Sequence, residues 1–129
     1  MRRKTSETGK MGEDIACRIL KDKGYRILGR NIAERFGEID ILARDPKGVL
    51  VFVEVKTLRE TKECFTPEMH FNPGKAMRSR RIAMFYVAEH ADQVREKAGW
   101  RIDLIAITIT DVPLTDLNKD CVINHYENV

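Results

Sequence analysis

Two short segments concentrate side chains that could act on a phosphate ester. They are Gly37-Glu38-Ile39-Asp40 and Val53-Glu54-Val55-Lys56, each carrying ionisable groups at the end of an otherwise apolar run. Side chains on a β-strand alternate between faces, so Glu38 and Asp40 share one face, while Glu54 and Lys56 share a face opposite Val53 and Val55. Charges placed in this way are costly to desolvate unless they find partners. If the segments are neighbouring arms of one hairpin, Asp40, Glu54 and Lys56 converge as two anionic oxygen donors and a cation. Paired carboxylates suit Mg²⁺ or Mn²⁺, hard ions that keep several waters and also bind phosphate oxygens. Such an ion polarises a phosphoryl oxygen and lowers the pKa of an attacking water, and the lysine orients that water or stabilises charge developing on phosphorus. The plainer alternative is a structural Glu54–Lys56 ion pair at a sheet edge, because a lone E-x-K pattern is common.

These groups need elements to position them. Asp45-Pro46-Lys47-Gly48 has turn chemistry and joins Glu38–Ala43 to Val49–Lys56 as a hairpin. The second arm is rich in β-branched residues and apolar on both faces up to Glu54, as expected of a central strand covered on both sides. A helix is expected over Lys10–Lys23, where Met11, Ile15, Ala16, Ile19 and Leu20 recur at helical spacing and Gly24 is placed to cap it. A short strand at Tyr25–Leu28 follows. A second helix, Pro73–Ala91, has apolar positions that include Met77, Met84, Phe85, Val87 and Ala88, and Trp100–Ile109 reads as a further strand. The order is α-β-β-β-α-β, an α/β fold with a mixed central sheet flanked by helices. No repeat, low-complexity tract or linker divides the chain, so residues 1–129 read as a single domain with a core over about residues 10–110. The tail 111–129, broken by Pro113, receives no assignment.

Two further features bear on the site. Glu13 falls within roughly 20° of Leu20 on the apolar face of the first helix. It is either an additional ligand for metal or water, or a first-turn carboxylate stabilised by the helix macrodipole. Basic residues cluster at Arg2, Arg3, Lys4 and Lys10, which read as solvated surface, and at Lys75, Arg78, Arg80 and Arg81. Lys75, Arg78 and Arg81 spread over about 120° of helix, a stripe able to grip phosphates or simply to be solvated.

Other chemistries find little support. Cys17, Cys64 and Cys121 form no C-x-x-C pair and read as free thiols, and His70, His90 and His125 show no zinc-ligand spacing with them. No phosphate-binding glycine loop or G-x-S-x-G elbow is present. Phe65, Met69 and Phe71 read as packing residues. At 43% hydrophobic and 33% charged residues, with net charge +3, the 129-residue chain has globular composition and no membrane-length apolar run. The basic start lacks the apolar stretch of a secretion signal, so a cytoplasmic location is expected.

The spacing of Asp40 and Glu54-Val55-Lys56 resembles the PD-(D/E)XK superfamily of restriction-endonuclease-like nucleases. More narrowly, Gly12-Glu13, Ala16, Gly24-Tyr25, Arg30-Asn31, the Gly-Glu-Ile-Asp block, Phe52–Lys56 and Arg101-Ile102-Asp103 resemble the YraN family of small bacterial proteins, over about Lys10 to Ile109. That family is similar to archaeal Holliday-junction resolvases. The resemblance implies a restriction-endonuclease-like core, Asp40 and Glu54 as metal ligands, Lys56 as the catalytic lysine and Glu13 as the helix-one acid. Glu38 is a motif residue to which no role is assigned. The departure lies between Glu60 and Asn72, where Phe65-Thr66 stands in place of the family's Phe-Gly.

The expectation is therefore a Mg²⁺- or Mn²⁺-dependent endonuclease acting on branched or structured DNA, with Lys75, Arg78 and Arg81 contacting phosphates. No membrane association is expected, and a homodimer is compatible with the resemblance. The rival expectation is an inactive nucleic-acid-binding or adaptor module that keeps the nuclease fold. A third is a protein-interaction scaffold that binds no nucleic acid.

Overall fold

A computed structural model describes residues 6–60, 66–110 and 113–129. Arg2, Arg3, Lys4, Cys64 and Phe65 lie outside the described residues. Helix α1 (Glu7–Asp22) leads into β1 (Arg26–Glu34), β2 (Gly37–Arg44) and β3 (Leu50–Arg59). Helix α2 (Pro73–Glu89), β4 (Trp100–Ile109), a single turn α3 (Leu117–Asp120) and β5 (Cys121–Tyr126) complete the chain. The strands form one mixed sheet in the order β1-β2-β3-β4-β5, with β3 and β4 parallel and the other neighbours antiparallel. The expected α-β-β-β-α-β succession is present, and a fifth strand extends it.

Local sequence accounts for the element ends. Ser6 caps α1 by accepting from the Gly9 N–H at 3.0 Å. At the other end Gly24 takes φ +88°, its N–H donating to the Lys21 carbonyl while the Tyr25 N–H donates to that of Leu20. This doubly bonded left-handed cap turns the chain straight into β1. Asp45 builds the hairpin turn by accepting from the Lys47 and Val49 N–H groups through one carboxylate oxygen.

The central strands β3 and β4 are largely buried, covered by a helix on each face. Ile15, Ala16 and Leu20 of α1 pack with Ile41, Val51, Val53, Val55, Ile105 and Ile107. On the opposite face Ile82, Ala83 and Tyr86 of α2 pack with Leu42, Leu50, Phe52 and Ile102. The buried stripe of α2 thus differs from its most conspicuous apolar positions, since Met77, Met84 and Phe85 are 69%, 56% and 37% exposed. Met69 is likewise 59% exposed rather than packed. Strand β1 runs six residues beyond the expected Tyr25–Leu28, held by its pairing with β2 rather than by its own polar composition. No described helix is long and apolar enough to cross a membrane.

At the start of β4 a buried charge network ties the tail to the core. Arg101 donates to both oxygens of Asp103 (2.9 and 3.2 Å), to Asp45 (2.7 Å) and to the Tyr25 hydroxyl (2.8 Å). Lys23 donates to His125 Nδ1, leaving Nε2–H to donate to Asp103 at 2.8 Å, and the Asn128 N–H adds a fourth bond to that carboxylate. Asp103 is fully buried, yet its four donors more than offset desolvation and hold its carboxyl below the usual 3.8. Asp45 is held low for the same reason.

Removing one partner from such a network strands the others. Asp103→Ala is expected to cost about 3 kcal/mol or more by urea denaturation. Because the folded carboxyls titrate below their unfolded value of 3.8, their contribution is complete above that pH and is lost as pH falls through the depressed values. The gap between wild type and Asp103→Ala should therefore narrow below pH 4, and a gap that holds constant to pH 2 would contradict this account.

Candidate active site

The β2–β3 ladder runs from Arg44–Leu50 to Ile41–Val53 and ends there. One residue further, the Asp40 side chain takes over, its Oδ2 accepting from the Val55 N–H at 2.9 Å. A backbone donor that the separating strands would leave unmet is satisfied by a carboxylate instead. Glu54 and Lys56 project beside it from β3, with the Lys56 ammonium 2.9 Å from Glu54 Oε1.

Helix α1 brings in a third carboxylate. Gly12 lies so close to β3 that a Cβ there would overlap the Thr57 side chain. That approach carries Glu13 to the same place, where it is only 7% exposed. Because α1 begins at Glu7, Glu13 is in its second turn, and stabilisation by the first-turn macrodipole does not explain it. Burial raises the pKa of its carboxyl, against the lowering effect of the nearby Asn31 side chain. Glu13 Oε1 and Thr57 Oγ1 are buried without a hydrogen bond, although Arg30 Nη2 stands 3.7 Å from the former and 2.8 Å from Asp14. Asn31 takes the left-handed φ of +49° at the position opposite Asp40 in the β1–β2 register.

The three carboxylates and Lys56 open into one cleft of about 570 Å³ between the start of α1, the β1–β2 hairpin, the end of β3 and the first half of α2. Glu13, Glu38, Asp40, Glu54, Lys56, Lys75 and Arg78 all line it. Arg81 does not, since it faces solvent beyond the cleft edge. Asn31, Arg35, Phe36 and Thr57 also line the cleft, and none of them stood out as a site residue in the sequence. Only Asn31 left a signal there, as part of the Arg30-Asn31 element of the family resemblance. Elsewhere, Cys17 and Cys121 are buried free thiols. His125 belongs to the Arg101 network, while His90 stacks on Tyr86 and His70 is exposed.

Electrostatics sets this cleft apart from the Arg101 network. Desolvation first, and then the Glu54 charge, push the Asp40 carboxyl up to about 7, against the lowering effect of the Val55 N–H. Glu13 adds to the rise and Lys56 opposes it. Among the described residues no three His, Cys, Asp or Glu side chains form a ready-made metal cage. A Mg²⁺-like ion does not need one, because it is usually held by one or two carboxylates and keeps its waters. Two adjacent carboxylates that repel each other, near a buried carboxylate oxygen lacking a hydrogen bond, suit such a cation.

The model of the family described as "Uncharacterised protein family UPF0102" matches residues 12–107. A UPF0102 protein of Syntrophus aciditrophicus is 42% identical over 102 residues, covering 79% of this chain and 76% of its own. Those of Caldicellulosiruptor bescii and Alkaliphilus oremlandii are 37% and 38% identical, over 88% and 93% of this chain and 95% and 94% of theirs.

The crowding of carboxylates has a measurable cost. An unfolded aspartate loses its proton near 3.8 and folded Asp40 near 7, so folding is progressively penalised as pH rises through that interval. In EDTA, Asp40→Asn should be more stable than wild type at pH 8 by upwards of 1 kcal/mol, roughly the worth of one pKa unit. The advantage should vanish towards pH 4. Denaturation midpoints that differ equally at both pH values would rule out this electrostatic origin.

Proposed function

This chain belongs to the UPF0102 family, and on that premise we propose that it is a divalent-metal-dependent endonuclease of the PD-(D/E)XK type, hydrolysing phosphodiester bonds in branched or otherwise structured DNA. The observation that carries this reading is the meeting of Asp40, Glu54, Lys56 and Glu13 in one cleft whose lining includes Lys75 and Arg78. Asp40 and Glu54 would hold Mg²⁺ or Mn²⁺, which supplies polarisation of a phosphoryl oxygen and a more acidic attacking water.

The protein's own groups have distinct tasks. Asp40 is fixed by the Val55 N–H, so its second oxygen remains for a cation. Lys56, steadied by Glu54, offers an ammonium that can orient the nucleophilic water or stabilise charge on the phosphoryl group. Glu13 presents a buried oxygen able to accept from that water. Lys75 and Arg78 supply salt-sensitive phosphate contacts that carry no sequence information.

One observation favours the second reading, an inactive DNA-binding module: Glu54 and Lys56 already satisfy one another across 2.9 Å. Cleavage decides between the two. Purified protein with Mn²⁺ should cut a four-way or flapped DNA, and Lys56→Ala should slow cutting on the order of 100-fold while binding persists. No cleavage of any structured DNA, with binding indifferent to Asp40→Ala, would establish the inactive module. In either case Lys75→Ala with Arg78→Ala should flatten the slope of log K against log salt by about 2. An unchanged slope would remove these residues from the interface.

A further inference from the structure

The hairpin that overhangs the cleft carries an unusual tip. Glu34 pairs with Gly37, so Arg35 and Phe36 alone make the turn. The common two-residue hairpin turns favour Asn and Gly because they need a positive φ, which neither Arg35 nor Phe36 adopts. Here the turn presents a guanidinium and an aromatic ring. Arg35 stands over the Phe36 ring at 5.6 Å from its centroid, and Phe36 leans on Phe85 of α2 with centroids 4.7 Å apart at 51°. Even so, Phe36 remains 42% exposed at the lip of the cleft that holds Asp40 and Glu54.

We propose that Arg35 and Phe36 form a stacking subsite for an unpaired nucleobase, so that the favoured DNA has single-stranded character beside the bond to be cut. The inference rests on the reading of the cleft as a DNA site. An aromatic face stacks on any base without reading its sequence, and an arginine beside it adds cation–π attraction and a phosphate contact. Inside a duplex each base is already stacked on both neighbours and has no face to offer away from the ends, whereas a gap, flap or junction arm exposes one at the site. The contact with Phe85 sets the angle of the Phe36 ring, and a base would stack on the ring in place of, or together with, the Arg35 guanidinium. Met77 and Met84, exposed further along α2, offer no comparable flat surface.

The competing account is that Phe36 merely clasps the hairpin to Phe85. Phe36→Leu separates the two, since leucine keeps an apolar contact with Phe85 but has no π-face, while Phe36→Tyr keeps the ring. The probe is a duplex with a short gap containing 2-aminopurine, compared with a blunt duplex of the same sequence, both in EDTA so that no cleavage is required. Wild type and Phe36→Tyr should quench the 2-aminopurine and prefer the gapped DNA. Phe36→Leu should lose the quenching and about tenfold of that preference with its melting temperature nearly unchanged. If Phe36→Leu retains both quenching and preference, the subsite is overturned while the nuclease reading stands. If wild type binds neither DNA, the subsite and the nuclease reading fall together.

Discussion

Strands β2 and β3 stop pairing after Ile41 and Val53, and much else follows from how the next donor is satisfied. The Val55 N–H lies between two apolar layers, where an unmet donor costs about 1–3 kcal/mol. Asp40 meets it with a side chain, which places a carboxylate where the fold would otherwise require neutral backbone. A second carboxylate from β3 and a third from α1 then share the same low-dielectric neighbourhood. The separation of the strands opens the cleft, and the way it is capped charges it. Both helices contribute to this, α1 by bringing Glu13 and α2 by walling the cleft in which Asp40 is partly buried.

The two charged regions of this sheet are built on opposite plans. Around Arg101 both oxygens of Asp103 find donors, and burial strengthens the pairing by lowering the local dielectric. Around Asp40 the same burial works against the fold, since carboxylates outnumber the cation among them and Glu13 Oε1 has no hydrogen bond. A protein that needed only stability would use the first plan twice. The second makes sense where an external cation completes the balance, and perturbed carboxyls in a cleft are where function is expected.

Much of the fold was legible in the sequence because its strongest signals are local. The β-branched run of β3, the Asp45–Gly48 turn and the Gly24 cap each specify structure without distant partners, and β4 extends over the expected Trp100–Ile109. Alternation on a strand was enough to pair Glu54 with Lys56 on one face. What escaped depends on partners elsewhere. Residues 29–34 carry little apolar alternation beyond Ile32 and are held as a strand by pairing with β2, and Cys121–Tyr126 is a half-exposed edge strand that pairs with β4. The inward stripe of α2 was obscured by Met77, Met84 and Phe85, which make the outer face apolar as well. Arg35 and Phe36 carry no motif at all, since their place at the cleft follows from how far the hairpin reaches.

The position of Glu13 joins these threads. Its place on the apolar face of α1 could be read from helical periodicity, but its meaning depended on where the helix begins and how near it comes to β3. With Ser6 as the cap, Glu13 is too deep in the helix for the macrodipole to hold it. With glycine at position 12, the helix can approach Thr57 closely enough to bring that carboxylate over the end of β3. Asn31 then adopts a sparsely populated backbone conformation, opposite Asp40, while its side chain stands near Glu13. A helix start, a missing side chain and a left-handed residue, distant in sequence, thus all bear on one oxygen. Close packing explains the glycine at position 12, whereas the left-handed Asn31 and the buried Glu13 oxygen would find a use in a site for a cation and its bound water.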